Sequence, residues 1–385
     1  MRILATFCRF PYPLDKGDKL RAFNQIRVLS ERHDVFLYCY SKKNIPDEYM
    51  SILQGYCKEI HIEKLCFLEQ LLSLIKSFFT KLPLQIAAYT TCSGRKHFKS
   101  FFGRVKPDVS YFQFVRLAEY SKEVEGRKVL DFQDCLSVNM YRRTKQENLV
   151  LSLLLLYESK LLKAYENKVF DFFDATSIIT EKDRDLLPSD RKQNTCVIEN
   201  GVSEDFLDYP SNNNKEYDII FSGNMSYAPN IMASVFLIKK IMPLVWDKLP
   251  NCKVVLAGNN PHKSVKDLQS KRVLVTGWVN DMKEYYAKSK VFVAPMQIGT
   301  GLQNKLLEAM AIGLPCVTTP LANDALKSVH GKDILVGQTS EEIAVFIIKL
   351  LSNKNLYESI ASHGHAFVKK EYSWEKSVQK LEQLL

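Results

Sequence analysis

Several features that would place a chain in a class at once are missing from this one. Nine cysteines are spread over 385 residues without a single C-x-x-C pair, and nine is an odd number. That excludes a paired-cysteine metal knuckle and argues against a disulfide scaffold, so reduced thiols in a cytosolic setting are expected. No apolar run reaches the roughly 20 residues needed to span a bilayer. The longest, "LVLSLLLLY" from Leu149 to Tyr157, stops at Glu158 and Lys160. The opening "MRILATFCRFPYP" has no apolar core followed by a small-residue cleavage site, so no secretory leader is expected. The seven histidines are dispersed, and "HGH" at 363–365 falls in a polar helical stretch, where it reads as a solvated surface feature rather than a metal site. There is no short-period repeat, no low-complexity tract and no nucleic-acid-binding motif.

What is present is globular: 46% hydrophobic and 25% charged residues, in a chain long enough for two domains. The formal net charge of +10 favours phosphorylated ligands, nucleic acid or an anionic membrane surface, and charge alone does not choose among them.

The grammar along the chain is βαβ. "MRILATF" reads as a strand, "CRFPYPLDKGDKL" as a glycine-bearing loop, "RAFNQIRVLSERH" as a helix and "DVFLYCY" as the next strand. "DVSYFQF", "RKVLDFQD", "DATSIIT" and "NTCVIENGV" continue the rhythm. "LDYPSNNNKEYD" is the most loop-like stretch and marks a linker. Beyond it the pattern restarts with "DIIFSGN", "CKVVLAG", "RVLVTGW", "VFVAP", "PCVTT" and "DILVG" as strands. Thr339 and Glu342 form a capping-box pattern before a helix. The expected organisation is a domain over 1–207, a second over 208–370 and a final helix over 371–385, whose Trp374, Val378, Leu381 and Leu385 recur at helical spacing.

The most informative segment is "QIGTGLQNKLLEAMAIGLPCVTT", Gln297 to Thr319. Gly299 and Gly301 follow a strand and precede a helix, which lets the backbone turn sharply against a ligand. The N-terminus of that helix favours an anion, and Lys305 adds a full charge near it. Glu308 shares a face with Lys305. A cation towards phosphates and a carboxylate towards hydroxyls suit a nucleotide diphosphate sugar. The bland alternative is a surface i,i+3 salt bridge worth a few tenths of a kcal/mol.

This segment resembles the donor-site signature of the retaining nucleotide-sugar glycosyltransferases of family 4, which are two-domain GT-B enzymes. Glu308 matches the second of the two glutamates in that motif, and the first would fall at Thr300. The resemblance implies two Rossmann-like parallel-sheet domains facing a cleft, with the last helix crossing back to the first domain. It implies a donor site built from Gly223 and Asn224 in "FSGNMSYAPN", Gly277 and Val279 in "VTGWV", Gly299, Thr300, Gly301, Leu302, Lys305 and Glu308. Gly17 would lie at the turn of the N-terminal glycine loop. Asn224 stands where many members have an arginine, which leaves Lys305 as the cation for the diphosphate.

The resemblance also implies same-face attack, in which the leaving diphosphate accepts the proton of the acceptor. No metal and no organic cofactor is then required, only a UDP- or GDP-linked sugar as donor substrate. Catalytic roles are expected at Lys305 and at Asp134, which follows the strand "VLDFQD" ending near Asp131; for Asp134, helix capping is an equal alternative. Lys19 and Arg21 would meet a phosphorylated acceptor or form an exposed helix face. Between Leu68 and Lys106, Phe and Leu interleave with Lys and Arg, as suits an anionic membrane carrying a polyprenyl-linked acceptor. The likeness is to the bacterial surface-polysaccharide subset, so a cytoplasmic enzyme at the inner face of the membrane is expected, and no nucleic-acid partner. A nucleotide-sugar epimerase or hydrolase of the same fold, or a non-catalytic nucleotide-sugar-binding subunit, are the competing readings.

Overall fold

The computed structural model describes every residue except 145–146, 211–213 and 299–300. The chain forms two compact units, one of Met1–Glu199 with Trp374–Leu385 and one of Asn200–Ser373. The division falls at Asn200 rather than after residue 207, because Val202 is buried in the core of the second unit and Phe206 and Leu207 pack against it. The stretch "SNN" of the expected linker lies outside the described residues.

In the first unit the strands are β1 (Arg2–Phe7), β2 (Asp34–Ser41), β3 (Glu59–Lys64), β4 (Val109–Gln113), β5 (Arg127–Asp131), β6 (Ala175–Ile178) and β7 (Cys196–Val197). They form one sheet in the order β3-β2-β1-β4-β5-β6-β7, with every pairing parallel. The central strands are buried on both faces, which explains their near-continuous apolar sequences. Leu4, Tyr38 and Phe112 enter one core, and Ile3, Leu37 and Tyr111 enter the other. β3 was not anticipated from the sequence, because "EIHIEK" is largely charged and polar. As an edge strand it needs only one apolar side, and Ile60 and Ile62 supply it.

The helix Trp374–Glu382 completes this unit. Trp374, Val378 and Leu381 are fully buried among Ile26, Leu29 and Ile198. Its polar side is tied by Lys380 to Glu199 at 2.7 Å and by Glu382 to His33 at 2.9 Å. The apolar spacing of the final segment thus serves a core built far earlier in the chain, and its polar contacts reach back 348 positions to Arg27 and 349 to His33.

The second unit contains β8 (Tyr217–Ser222), β9 (Val254–Ala257), β10 (Val273–Gly277), β11 (Ser289–Ala294), β12 (Cys316–Thr318) and β13 (Leu335–Val336). Their order is β10-β9-β8-β11-β12-β13, again parallel. The strand order reverses between β8 and β11, the point at which open α/β sheets leave a crevice beyond their carboxyl ends. The helical stretch Ala228–Lys248 is, among the described residues, the one long and apolar enough to cross a membrane. Here Ala233, Leu237, Ile241 and Val245 are buried in the core of this unit, and a π-helical turn over Leu237–Ile241 adjusts its register. Half of the capping box forms as expected: Thr339 Oγ1 accepts from the Glu342 amide, while the Glu342 carboxylate accepts from the amide of Gln338, one residue before the cap.

Candidate active site

The second unit gathers its polar residues beyond the carboxyl ends of β8 and β11. β8 runs into Gly223, whose φ of +147° is open to glycine alone. A Cβ there would lie 2.7 Å from Asn230 Nδ2 and 3.3 Å from Lys305 Nζ. Gly258, at the end of β9, also has a positive φ, and its Cβ would lie 1.8 Å from the Gly223 carbonyl oxygen. Two strand ends therefore touch backbone to backbone, which leaves no room for a side chain at Gly258.

Lys305 reaches this loop from the helix Asn304–Ala311. Its ammonium donates to Asn230 Oδ1 at 2.5 Å, lies 3.9 Å from Met296 Sδ and stands over the Phe221 ring at 4.8 Å. Burial among these groups lowers its pKa to about 7, partly offset by the nearby Glu308 charge. Glu308 accepts a hydrogen bond of 3.0 Å from Tyr286 Oη, and Tyr286 in turn meets Ser222 Oγ at 2.7 Å. Burial raises the Glu308 carboxyl to about 7, against the Tyr286 hydrogen bond and Lys305, which lower it. No ion pair joins Lys305 to Glu308, so the salt-bridge alternative is set aside. The two groups share a face, as their spacing predicts, but each has its own partner from another element.

Asn230, Tyr286 and Ser222 were not anticipated as members of the site. Asn230 lies in the quoted "FSGNMSYAPN", two residues into the helix Ala228–Phe236. Asn224 shapes the turn: its Oδ1 accepts from the amide and hydroxyl of Ser226. Its carbonyl receives Asn230 Nδ2 at 2.9 Å, which orients the amide that holds Lys305. Gly301 accepts from Gln303 Nε2, Leu302 packs on the core, and Asn200 of the Asn-Gly-Val turn donates to Asn304 at the start of the Lys305 helix. Gly277 ends β10 at φ +71° beside a register shift, with Val279 half-buried after the exposed Trp278. Gly299 and Thr300 lie outside the described residues.

The remaining expected residues belong to the first unit. Gly17 opens the helix Gly17–Leu29. Asp134 follows β5 with Oδ1 buried and without a hydrogen-bond partner. Burial, opposed by Arg116 and aided by Asp183, Glu166 and Asp18, raises its carboxyl to about 7. Capping of the following helix falls to Glu166, whose Oε1 takes the Ser137 amide at 3.1 Å. Asp131 is a structural group: it accepts from Arg21 Nε at 2.6 Å, Tyr111 Oη, Ser177 Oγ and the Gln133 amide.

Two expectations are corrected here, for Arg21 and for the basic, aromatic-bearing 68–106 segment. Arg21 is fully buried on Asp131 and the Ile198 carbonyl, so it meets no acceptor and lines no exposed face. Lys19 is paired with Asp15 at 2.8 Å. In the 68–106 segment, Phe98 and Phe101 of the helix Cys92–Val105 are buried on Tyr38 and form core. The helix Phe67–Thr80, in contrast, exposes Phe67, Leu68, Leu72, Phe78 and Phe79, the last at 86%. The first turns of the helix Leu149–Val169 expose Leu149, Val150, Leu153 and Leu154 as well. A short helix, Leu84–Ala87, links the two, since Gln70 donates to the Ala88 carbonyl and the amides of Leu84 and Gln85 donate to Glu158. The histidine pair 363/365 is also only half as expected: His363 is exposed, whereas His365 Nδ1 bonds the Ala311 carbonyl at 2.6 Å.

Two sheets of this topology, each with helices on both faces, define a GT-B fold, and the comparisons agree. Residues 216–353 match the family model described as Glycosyl transferases group 1. An uncharacterized 44.6 kDa protein in the cps region of Klebsiella pneumoniae is 22% identical, covering 97% of this chain and 96% of that one. Among solved structures, Anabaena HepE in complex with UDP and glucose superimposes with a TM-score of 0.70 at 14% identity, covering 99% of this chain and 98% of its own. Sucrose-phosphate synthase from Thermosynechococcus elongatus gives 0.68 at 14%, covering 100% and 98%. The family match over residues 216–353 supports a glycosyltransferase, and the solved structures share the fold of the whole chain.

Proposed function

We propose that the chain transfers a hexosyl group from a nucleoside diphosphate sugar to a glycan or lipid-linked glycan, with retention of configuration. The observation that carries this reading is the half-buried Lys305 ammonium, fixed by Asn230 over the Gly223 loop at the strand-order reversal. A diphosphate placed there meets a cation and free helix amides. Glu308, steadied by Tyr286, is set to accept from ribose hydroxyls. The binding of UDP by the structural neighbour HepE supports a nucleotide donor of this kind.

In the reaction the bond between the anomeric carbon and the diphosphate oxygen breaks, and a bond to the acceptor oxygen forms on the same face. The proton of the acceptor passes to the departing diphosphate. Charge grows on that leaving group, and Lys305 with the preorganised N–H donors offsets it. A protein base is not needed. The buried carboxyl of Asp134, free of capping duty, is suited to orient a hydroxyl of the sugar or acceptor. Arg21, fully buried on Asp131, is set aside as a cation for an acceptor phosphate.

The cps-region relative favours a surface-polysaccharide role, and the exposed apolar helices favour a cytoplasmic enzyme resting on the membrane that carries its acceptor. The test is a thermal-shift panel of UDP, GDP, ADP, dTDP and CMP with and without EDTA, followed by a transfer assay with the sugar of the nucleotide that binds. A shift with one diphosphate that survives EDTA is the expected outcome. No shift with any nucleotide, with the protein folded, would sink the reading.

A further inference from the structure

Two of the seven histidines, His61 and His97, are 36 positions apart in sequence but meet in space. On β3, strand alternation sends Ile60 and Ile62 to one face and His61 and Glu63 to the other. His61 Nε2 comes within 3.3 Å of Glu63 Oε2. The helix Cys92–Val105 packs against the same face through Phe98 and Phe101, and it brings His97 Nδ1 to 3.0 Å from the same carboxylate oxygen. All three donor atoms lie within 4.8 Å of one another.

We propose that His61, Glu63 and His97 bind one divalent transition cation of the zinc type, clipping the edge strand β3 to the helix Cys92–Val105. Two imidazoles and a carboxylate form the nitrogen–oxygen set that zinc takes, with water in a fourth position. With bonds of about 2.0–2.1 Å in a tetrahedral arrangement, neighbouring ligand atoms stand about 3.3 Å apart. Both distances to Glu63 are close to that spacing. His97, half exposed, has room to complete the geometry and leaves a path for the ion.

The surroundings hold the ligands in place. The His61 ring stacks on Tyr38 at 4.8 Å with 12° between planes, and Tyr38 Oη donates to Glu63 at 3.1 Å. Outer partners of this kind orient metal ligands. The site uses no residue assigned to donor binding, and its role is to fasten a strand that has only one neighbour in the sheet.

The test is titration of chelator-treated protein with Zn²⁺ and Co²⁺, for the wild type and for His97→Asn and His61→Asn. The wild type should bind one ion with a rise in melting temperature, and Co²⁺ should give visible bands of a four-coordinate site without thiolate charge transfer. Each variant should bind at least about tenfold more weakly and lose the rise. His61 supports Tyr38, so His97→Asn, at an exposed position, is the decisive variant. A wild type that binds no ion, a His97→Asn protein that binds as the wild type does, or a thiolate band pointing to the cysteines would each overturn the proposal.

Discussion

Lys305 Nζ and Asn230 Oδ1 are 2.5 Å apart, although 75 positions separate the residues in sequence. One comes from the helix after β11, the other from the helix after β8, so the contact bridges the point where the strand order reverses. A lysine held this way is preorganised to face a charge that develops beyond the strand ends. Lys305→Ala should therefore lower kcat by about 10²–10³ with little loss of stability, as removal of a preorganised donor does elsewhere. Asn230→Ala should give a smaller loss in the same direction. Steady-state kinetics and thermal unfolding check both, and activity of Lys305→Ala within a few-fold of wild type would remove the lysine from the diphosphate.

Donor binding should depend on pH on both sides of neutrality. Burial holds the donor-free Lys305 near 7, so above that pH it is neutral and binding a diphosphate must take up a proton. The Kd should then rise by up to about tenfold per pH unit. The same burial pushes Glu308 up to about 7, so below that pH it is protonated and loses its capacity as an acceptor. The affinity should peak near neutrality. Lys305→Met should flatten the alkaline limb and Glu308→Gln the acidic one, by calorimetric titration with UDP or GDP. A flat wild-type profile between about pH 6 and 9 would contradict the assignment.

Gly223→Ala separates geometry from charge. The residue keeps both partners of Lys305, but its φ of +147° is strained for alanine and its methyl group crowds Asn230 and Lys305. A cost of about 1–3 kcal/mol in stability is expected from the backbone alone. Donor affinity should fall as well, because the amide of Asn230 must move. Urea denaturation and nucleotide titration together check this; unchanged binding would mean that the loop after β8 does not approach the donor.

The βαβ rhythm, the restart after the linker and the helical character of the last segment were legible because each rests on local periodicity, whereas its return to the first unit was implied only by the family resemblance. Lys305 and Glu308 were legible because i,i+3 spacing on a helix fixes their shared face. Tyr286 and Asn230 were not, since only the fold brings them to these side chains from other elements. The charged "EIHIEK" concealed β3, because an edge strand is apolar on one side only. Arg21 misled for a related reason: a basic residue just after a glycine loop reads as exposed, while tertiary structure buries it against Asp131. That pair offers its own measurement. Arg21→Met or Asp131→Asn should each cost about 3–5 kcal/mol by leaving a charge buried without its partner, and the double variant Arg21→Met/Asp131→Leu should recover much of the loss. Additive losses in urea denaturation would show that the two do not act as a pair.

The exposed apolar helices make the remaining prediction. Isolated apolar side chains on a surface need no explanation, but Phe67, Leu68, Leu72, Phe78 and Phe79 share one helix, and Leu149, Val150, Leu153 and Leu154 share a second that the Leu84–Ala87 segment ties to it. Lys76 and Lys81 are exposed on and just after the first of these, so apolar and basic groups occur together. Insertion of such side chains into an interface contributes about 1.5–3 kcal/mol each if fully buried, and the lysines add an attraction that salt screens. The wild type should sediment with vesicles rich in anionic lipid, less so with neutral ones and less at high salt. Leu72→Asp/Phe79→Asp should weaken vesicle binding at least tenfold, while stability changes by no more than about 0.5 kcal/mol because both side chains are already in water. Transfer to a soluble acceptor should then persist while transfer to a vesicle-bound one falls. A wild type that stays in the supernatant, or a double variant that sediments as well as the wild type, would remove these helices from the membrane and leave their exposure to be explained by another partner.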